Sequence, residues 1–287
     1  MKKLNILAIL FSACSMMHAQ VQMNFSFDTP YGDNEQVGKY AEINGAKIYY
    51  EEYGEGEPLL LIHGNGADIK SMGNQIDYFK TRYRVIVADS RGHGKSELNT
   101  DSLTYVQIAE DWLALVGQME LDSFYIIGWS DGGNVGLLMG IDKDSRIKKL
   151  VSMGANLRPD TTAIYAWKRD AWKKKEKDTK LMIEKGDSSE NWVFMQQRLS
   201  MMLYQPHISH SELRKIRCPV LIMAGDQDVI REEHSVEIFQ NIPKAHLCIM
   251  PGETHFTPAS NPEFFNQIVA RFIADPYIRL DSDLSKQ

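Results

Sequence analysis

A serine with a glycine two positions away on each side stands where an apolar run passes into a helical one. The sequence over residues 128–132 reads Gly-Trp-Ser-Asp-Gly, and a continuous apolar run directly precedes it. This strand-to-helix turn is typical of a nucleophile elbow, in which a strained backbone exposes the serine hydroxyl and only small residues fit at the two glycine positions. The pattern therefore predicts that Ser130 is a nucleophile.

Two later loops supply groups that could activate this hydroxyl, which is a poor nucleophile by itself. Asp228 follows one apolar strand-like run, and His255 follows the next. Because parallel strands end at one edge of their sheet, both side chains are expected beside Ser130. We predict that His255 accepts the serine proton and that Asp228 orients the imidazole. Asp226, which is nearer the strand end, is the alternative acid.

An early loop and the elbow itself are expected to bind the oxyanion of an acyl-transfer reaction. His-Gly-Asn-Gly over residues 63–66 follows an apolar run. The backbone N–H groups of Asn65 and Asp131 are the predicted donors. His63 is interpreted as a structural loop histidine, and Trp129, beside the nucleophile, is a candidate substrate contact.

The elements that must position these residues alternate along the chain. Asn44-Gly45 favours positive φ and predicts a β-hairpin over residues 40–53. Beyond it, short and continuously apolar runs alternate with amphipathic stretches such as 105–119 and 134–141. Continuous apolar strands are buried on both faces. The sequence therefore predicts an α/β fold, a mostly parallel sheet with helices on both faces.

One segment interrupts the alternation and predicts a helical cap. Residues 155–213 carry no strand pattern, so the core is assigned to 20–154 and 214–287. Over 155–215 there are 12 Lys and Arg against 8 Asp and Glu, a local charge of +4 in an acidic protein. Open α/β sheets bind ligands at the carboxyl edge that such an insert would cover. An ordinary surface insertion is the alternative.

The amino terminus predicts export. The 287-residue chain has a formal charge of −6. Residues 1–19 combine two lysines, a short apolar run and a small-residue cleavage site, as signal peptides do. Without them the charge is −8, which argues against a nucleic-acid partner. We expect a periplasmic or secreted protein with no integral membrane span, and lipidation at Cys14 is the alternative form of export.

The two remaining cysteines are predicted to be free. Cys218 and Cys248 lie at different heights of neighbouring strand-like runs. Their separation along the strands exceeds the reach of a disulfide. We therefore predict two buried thiols.

The motifs together resemble the α/β-hydrolase superfamily across nearly all of residues 40–274. The landmarks are the 63–66 loop, Asp-Ser-Arg-Gly-His-Gly-Lys-Ser over 89–96, the elbow, Asp228 and the loop that ends in His255. The resemblance implies a serine hydrolase with a cap, no cofactor and no metal. The elbow is also similar to that of valacyclovir hydrolase-like (biphenyl hydrolase-like) enzymes. That similarity implies that Asp131 pairs with a cationic substrate, although a carboxylate at a helix N-terminus is also favoured by the helix dipole.

We therefore expect hydrolysis of a small-molecule carboxylic ester through an acyl-enzyme on Ser130. Lactones, thioesters, amides and C–C bonds are related possibilities. Two alternatives come from other functional classes: a cofactor-free perhydrolase or haloperoxidase-type enzyme, and a non-catalytic protein that binds a small ligand.

Overall fold

An eight-stranded sheet with helices on both faces forms the body of the protein. The computed structural model describes residues 22–23, 25–142, 144 and 146–278. The strands are β1 (Lys39–Ile43), β2 (Ala46–Tyr53), β3 (Glu57–Ile62), β4 (Tyr83–Ala88), β5 (Phe124–Trp129), β6 (Ile147–Met153), β7 (Val220–Gln227) and β8 (Ala245–Thr254). The helices of the described residues are α1 (Gly73–Phe79), α2 (Tyr105–Gln118), α3 (Asp131–Ile141), α4 (Ala166–Glu184), α5 (Trp192–Tyr204), α6 (His210–Leu213), α7 (Glu232–Asn241), α8 (Thr257–Ser260) and α9 (Pro262–Ala274), with a 3₁₀ turn at Ile69–Met72.

The strands follow the order β1-β2-β4-β3-β5-β6-β7-β8 across the sheet. All pairs from β4 to β8 are parallel, whereas β2 runs antiparallel to both β1 and β4. The parallel strands end at one edge, so the loops after β3, β5, β7 and β8 meet there. The prediction of a mostly parallel α/β sheet is confirmed.

The side chains of each central strand alternate between two hydrophobic clusters. In β3, Leu60 and Ile62 belong to the cluster that contains α2, α3 and α7, and Leu59 and Leu61 belong to the cluster of α1 and α9. Successive side chains of a strand point to opposite faces. Burial on both faces therefore explains why these strands are continuously apolar in sequence.

The hairpin turn has the backbone geometry that the sequence predicted, whereas two strands are longer than their apolar runs. Asn44 and Gly45 both have positive φ, 47° and 79°, as the hairpin turn requires. β7 and β8 extend beyond the apolar runs that predicted them, because Gln227 still pairs with Thr254 after an irregularity at Gly225. The extra residues at the two strand ends are glycine, proline or polar, so a pattern of apolar residues does not predict them.

Residues 155–213, all of which are described, contain α4, α5 and α6 and none of the strands of the sheet. We call them the cap segment. Its two long helices pack against each other. In α4 only Glu176 and Thr179 are buried, whereas α5 buries Leu199, Met201 and Leu203.

The predicted signal peptide over residues 1–19, with Cys14, lies outside the described residues, so export and lipidation stay predictions. In the part of the chain that the structure describes, no helix combines the length and apolarity needed to span a bilayer.

Both predicted free cysteines are unpaired, but neither is fully buried. Cys248 lies in β8, which forms one edge of the sheet and is therefore less covered than the central strands. Cys218 precedes β7, and burial raises the pKa of its thiol to about 11. The expectation of burial was wrong for Cys248 because the sequence did not show that β8 is an edge strand, and for Cys218 because the residue precedes β7 instead of lying within it.

Candidate active site

Three side chains from three loops form one hydrogen-bonded chain at the carboxyl edge of the sheet. His255 Nε2 lies 2.8 Å from Ser130 Oγ, and His255 Nδ1 lies 2.6 Å from Asp228 Oδ1. The serine and histidine are 125 positions apart in sequence. The structure thus brings together the nucleophile, base and acid that the sequence singled out.

The elbow holds the serine in strained geometry. Ser130 has φ 57° and ψ −117°, between the last residue of β5 and the first of α3. A Cβ at Gly128 would overlap the carbonyl oxygen of Gly132, and one at Gly132 would overlap the carbonyl oxygen of Ile62. The two glycines of the motif are therefore required by backbone contacts around the turn.

The structure distinguishes the two candidate acids. Asp228 is buried, and its Oδ1 also accepts a hydrogen bond of 3.0 Å from the backbone N–H of Ile230. Asp226 is exposed, and its Oδ1 accepts from the N–H of Gly252. Asp226 therefore ties the loop after β7 to the turn in β8, while Asp228 reaches the histidine.

Two residues hold His255 in place, and sequence reasoning missed both roles. Gly154 has φ +65°, and a Cβ there would lie 2.7 Å from Cε1 of the imidazole. Trp129, the candidate substrate contact, lines the cavity but is only 5 % exposed, and its indole N–H donates to the His255 carbonyl oxygen at 2.7 Å. A glycine directly after β6 was the sequence signal that could have indicated the role of Gly154. No local sequence signal indicated the hydrogen bond of Trp129 to His255.

The predicted oxyanion donors lie beside the nucleophile. Asp131 is the first residue of α3, where the N–H has no acceptor within the helix. Among the described residues, no acceptor is found for the backbone N–H of either Asn65 or Asp131. A Cβ at Gly64 would lie 3.7 Å from Ser130 Oγ, which shows how closely the loop after β3 approaches the serine.

The side chains of these two residues are themselves connected. Asp131 accepts hydrogen bonds of 2.8 Å from Asn65 Nδ2 on one oxygen and from the Tyr105 hydroxyl on the other. Burial raises the pKa of Asp131, and the two hydrogen bonds act in the opposite direction. Arg198 of α5 donates from Nη1 to Asn65 Oδ1 at 3.1 Å, so the network reaches the cap segment.

His63 has the geometry of a structural residue. Its Nε2 accepts from the N–H of Ser90 at 3.0 Å, and its Nδ1 lies 2.8 Å from the carbonyl oxygen of Gly64. Both contacts are satisfied by the neutral ring with its proton on Nδ1, and burial lowers the pKa of the ring. His63 therefore fixes the loop that carries Asn65.

A cavity of about 640 Å³ opens over the serine. Its wall combines the edge of the sheet with residues of the cap segment such as Trp172, Met195 and Met202. Met23 and Phe25, from the chain before β1, also line it, which the sequence did not predict. The described residues contain no cluster of three or more His, Cys, Asp or Glu suited to a metal ion.

Comparisons with known proteins agree with this architecture. Residues 57–185 match the family model of the alpha/beta hydrolase fold. The chain is 27% identical over 246 residues to "Serine hydrolase BPHL" of Mus musculus, and the alignment covers 80% of this chain and 84% of that protein. It is 24% identical over 252 residues to the "(E)-2-((N-methylformamido)methylene)succinate hydrolase" of Acinetobacter baylyi, with 80% and 95% covered.

A solved structure, the bromoperoxidase from Bacillus anthracis, superposes with a TM-score of 0.70 at 24% identity and covers 83% of this chain and 100% of that one. At this identity the likeness is one of fold. The relatives matched along most of both chains are named as hydrolases, and the elbow and sheet are those the family requires. The chain is thus a hydrolase of the α/β-hydrolase superfamily.

Proposed function

We propose that this protein is a serine hydrolase that cleaves a small-molecule carboxylic ester through an acyl-enzyme on Ser130. The observation that carries the proposal is the continuous hydrogen-bonded chain from Ser130 through His255 to Asp228, at the base of a cavity of about 640 Å³. A cavity of this size accommodates a small organic molecule.

The acylation half-reaction follows from these contacts. Ser130 Oγ attacks the ester carbonyl carbon while His255 Nε2 takes the hydroxyl proton. Asp228 accepts the hydrogen bond from Nδ1–H and stabilises the imidazolium. The carbonyl oxygen becomes an oxyanion, to which the N–H groups of Asn65 and Asp131 donate. Collapse of this intermediate breaks the C–O bond, and the leaving alkoxide receives the proton from His255.

Deacylation uses the same groups with water as the nucleophile. His255 Nε2 takes a proton from water as the water oxygen attacks the acyl carbon. The second oxyanion lies at the same two N–H groups. Its collapse releases the carboxylic acid and returns the proton to Ser130 Oγ, which restores the starting state.

Replacement of the nucleophile tests the assignment. Ser130→Ala should lower the hydrolysis of p-nitrophenyl acetate by about 10⁴-fold or more, because no covalent intermediate can form. It should also abolish covalent labelling by a fluorophosphonate. Ser71→Ala is the matched control, since Ser71 lines the same cavity but donates to the backbone oxygen of Asp68.

Three results would contradict the proposal. One is labelling of Ser130→Ala at the wild-type level. Another is formation of peracetate from acetate and hydrogen peroxide faster than ester hydrolysis, which would assign a perhydrolase. The third is ligand binding by the wild type without turnover of any ester, which would assign a binding protein.

A further inference from the structure

We propose that Arg198 is an anion-binding residue of the active-site cavity, and that the substrate carries a carboxylate a few bonds from the scissile carbonyl. The inference names the substrate class for the site and therefore rests on the proposed ester hydrolysis. It differs from the cationic substrate that the resemblance of the elbow to biphenyl hydrolase-like enzymes implied.

Arg198 reaches the cavity through a space that only glycine leaves open. A Cβ at Gly66 would overlap Nη1 of the guanidinium, and Gly66 has φ +66°. Nη1 donates to Asn65 Oδ1 at 3.1 Å, and Nη2 lies 2.9 Å from the sulfur of Met195. The second glycine of the 63–66 loop thus allows a charged group of α5 to lie against the loop that holds an oxyanion donor.

The guanidinium of Arg198 has no direct ion-pair partner in the part of the protein that the structure describes; burial lowers its pKa, and the more distant charges of Asp131 and Glu190 oppose this. Among the described residues, no carboxylate lies within ion-pair distance of Arg198. Its Nε is buried and has no hydrogen-bond partner in the same part of the chain. A partly buried cation without an ion-pair partner is unfavourable, and an anion bound in the cavity would supply that partner.

The other charged residues of the cavity wall also favour an anion. Lys70, Lys168 and Lys175 line it together with Arg198. The lining carboxylates are Asp68 and Asp131. Asp68 caps the 3₁₀ turn by accepting from the N–H of Ser71, and each oxygen of Asp131 already accepts a hydrogen bond. The acids are thus engaged by the protein, whereas Arg198 is not paired.

The distance from the nucleophile limits where the anion lies in the substrate. Gly64 touches Ser130, and Gly66 touches the guanidinium, with Asn65 between them. Two Cα atoms two positions apart are separated by at most about 7 Å. A chain of two or three methylenes between the scissile carbonyl and a carboxylate spans a comparable distance. Half-esters of C4 and C5 dicarboxylic acids are therefore suitable probes.

The competing explanation is that Arg198 only positions Asn65. In that case its loss would affect charged and neutral esters alike. Arg198→Gln removes the charge, and its amide nitrogen takes the position of Nε, which has no acceptor, so the hydrogen bond to Asn65 Oδ1 is lost as well. The ratio of the rates on a charged and a neutral ester therefore separates the two roles, because loss of positioning lowers both rates by the same factor. Arg198→Leu removes both the hydrogen bond and the charge.

The experiment compares two isosteric esters, monoethyl glutarate and ethyl 5-oxohexanoate, by kcat/KM. The wild type should prefer the carboxylate. Arg198→Gln should lower the ratio of the two values about 10- to 100-fold, in line with a charge-assisted hydrogen bond. Lys177→Gln, which removes the same charge from an exposed position of α4 outside the cavity lining, should leave the ratio unchanged.

Two kinetic results would overturn the inference. One is a loss of both activities by the same factor in Arg198→Gln and in Arg198→Leu, with the ratio of the two kcat/KM values unchanged, which would make Arg198 a positioning residue. The other is a higher kcat/KM for ethyl 5-aminopentanoate than for either probe, which would show that Asp131 pairs with a cationic substrate.

A binding measurement separates failure of this inference from failure of the proposed function. Glutarate should bind to Ser130→Ala in calorimetry and bind about tenfold or more weakly once Arg198→Gln is added. If no ester is hydrolysed but this difference is found, the ester hydrolase proposal fails and the anion site stands. If esters are hydrolysed but glutarate binds both variants alike, the anion site is wrong and the hydrolase stands.

Discussion

The sheet body and the cap segment differ in what holds their elements together. In the body, the central strands are fully buried between two continuous hydrophobic clusters. In the cap segment, α4 buries only Glu176 and Thr179, and the Glu176 carboxylate contacts Gln196, Ser200 and Tyr204 of α5. Five large apolar side chains of the cap segment are exposed: Trp167, Leu181, Ile183, Val193 and Tyr204.

This difference in packing indicates which region holds the reacting groups in fixed positions and which region forms the binding cavity. The reacting groups of the proposed mechanism all follow strands of the sheet, and Ser130 follows β5, which is buried along its whole length and where dense packing resists displacement. The cap segment contributes cavity walls and the unpaired Arg198. Its α4 is held mainly by polar contacts, and the apolar burial of the segment lies in α5, in α6 and in the loops. We therefore expect changes in the body to act on the chemical step and changes in the cap segment to act on binding.

The largest expected effect comes from a glycine of the body. Gly154→Ala places a methyl group 2.7 Å from the His255 ring and should displace it. Because a shift of about 1 Å at the reacting groups can lower the rate about 100-fold, kcat should fall by that order with little change in KM. Steady-state kinetics with p-nitrophenyl acetate measures both constants.

The cap segment offers a matched control for this variant. Gly186 has nearly the same φ, +67°, but a Cβ there meets nothing within 4 Å. Gly186→Ala should therefore carry the same backbone strain and retain kcat. Equal losses of kcat in the two variants would show that strain, and not contact with His255, is responsible.

A histidine that joins the two regions predicts a pH dependence of stability. His234 of α7 accepts a hydrogen bond of 2.9 Å at Nε2 from the N–H of Leu157 in the cap segment. Burial, reinforced by Arg158, lowers the pKa of His234 from 6.5 to about 4, and the neighbouring Glu237 only partly opposes this. Since the folded-state pKa is depressed, the stabilisation is present above pH 6.5 and is lost as the pH falls towards 4.

Thermal unfolding between pH 7.5 and 4.5 checks this expectation. The Tm of the wild type should fall steadily below pH 6.5, because the free energy of unfolding falls by up to about 1.4 kcal/mol for each pH unit between 6.5 and the folded-state pKa of about 4. His234→Gln cannot titrate and should show a shallower slope. His93, whose pKa burial lowers to about 3, contributes equally to both proteins. Identical slopes would show that the junction with the cap segment does not respond to pH.

The smallest effect is expected within the cap segment itself. Glu176→Ala removes the acceptor shared by the α5 side chains and should cost about 1 kcal/mol of local stability. We expect KM to rise a few-fold, kcat to change little, and trypsin to cleave sooner after the lysines at 173–175. Asp178→Ala, at an exposed position of the same helix, is the control. A fall in kcat without faster cleavage would contradict the division of roles.

The sequence predicted most of the fold because its signals are local. The Asn44-Gly45 turn needs only positive φ, and the buried strands need only continuous apolar runs. The acid and base could be located because the position of a loop after a parallel strand determines the edge of the sheet at which it lies. The edge position of β8 and its polar extension had no such signal.

The sequence by itself thus predicted Ser130 and His255, and restricted the acid to Asp228 or Asp226, through spacing and chain order. Only the tertiary structure decided what surrounds them. A Cβ at Gly154 would overlap the imidazole of His255, which lies 101 positions later in the sequence. Arg198 donates a hydrogen bond to Asn65, from which it is separated by 133 positions. Backbone geometry is set by neighbours in sequence, whereas these contacts depend on how whole helices and strands pack, which no local pattern encodes.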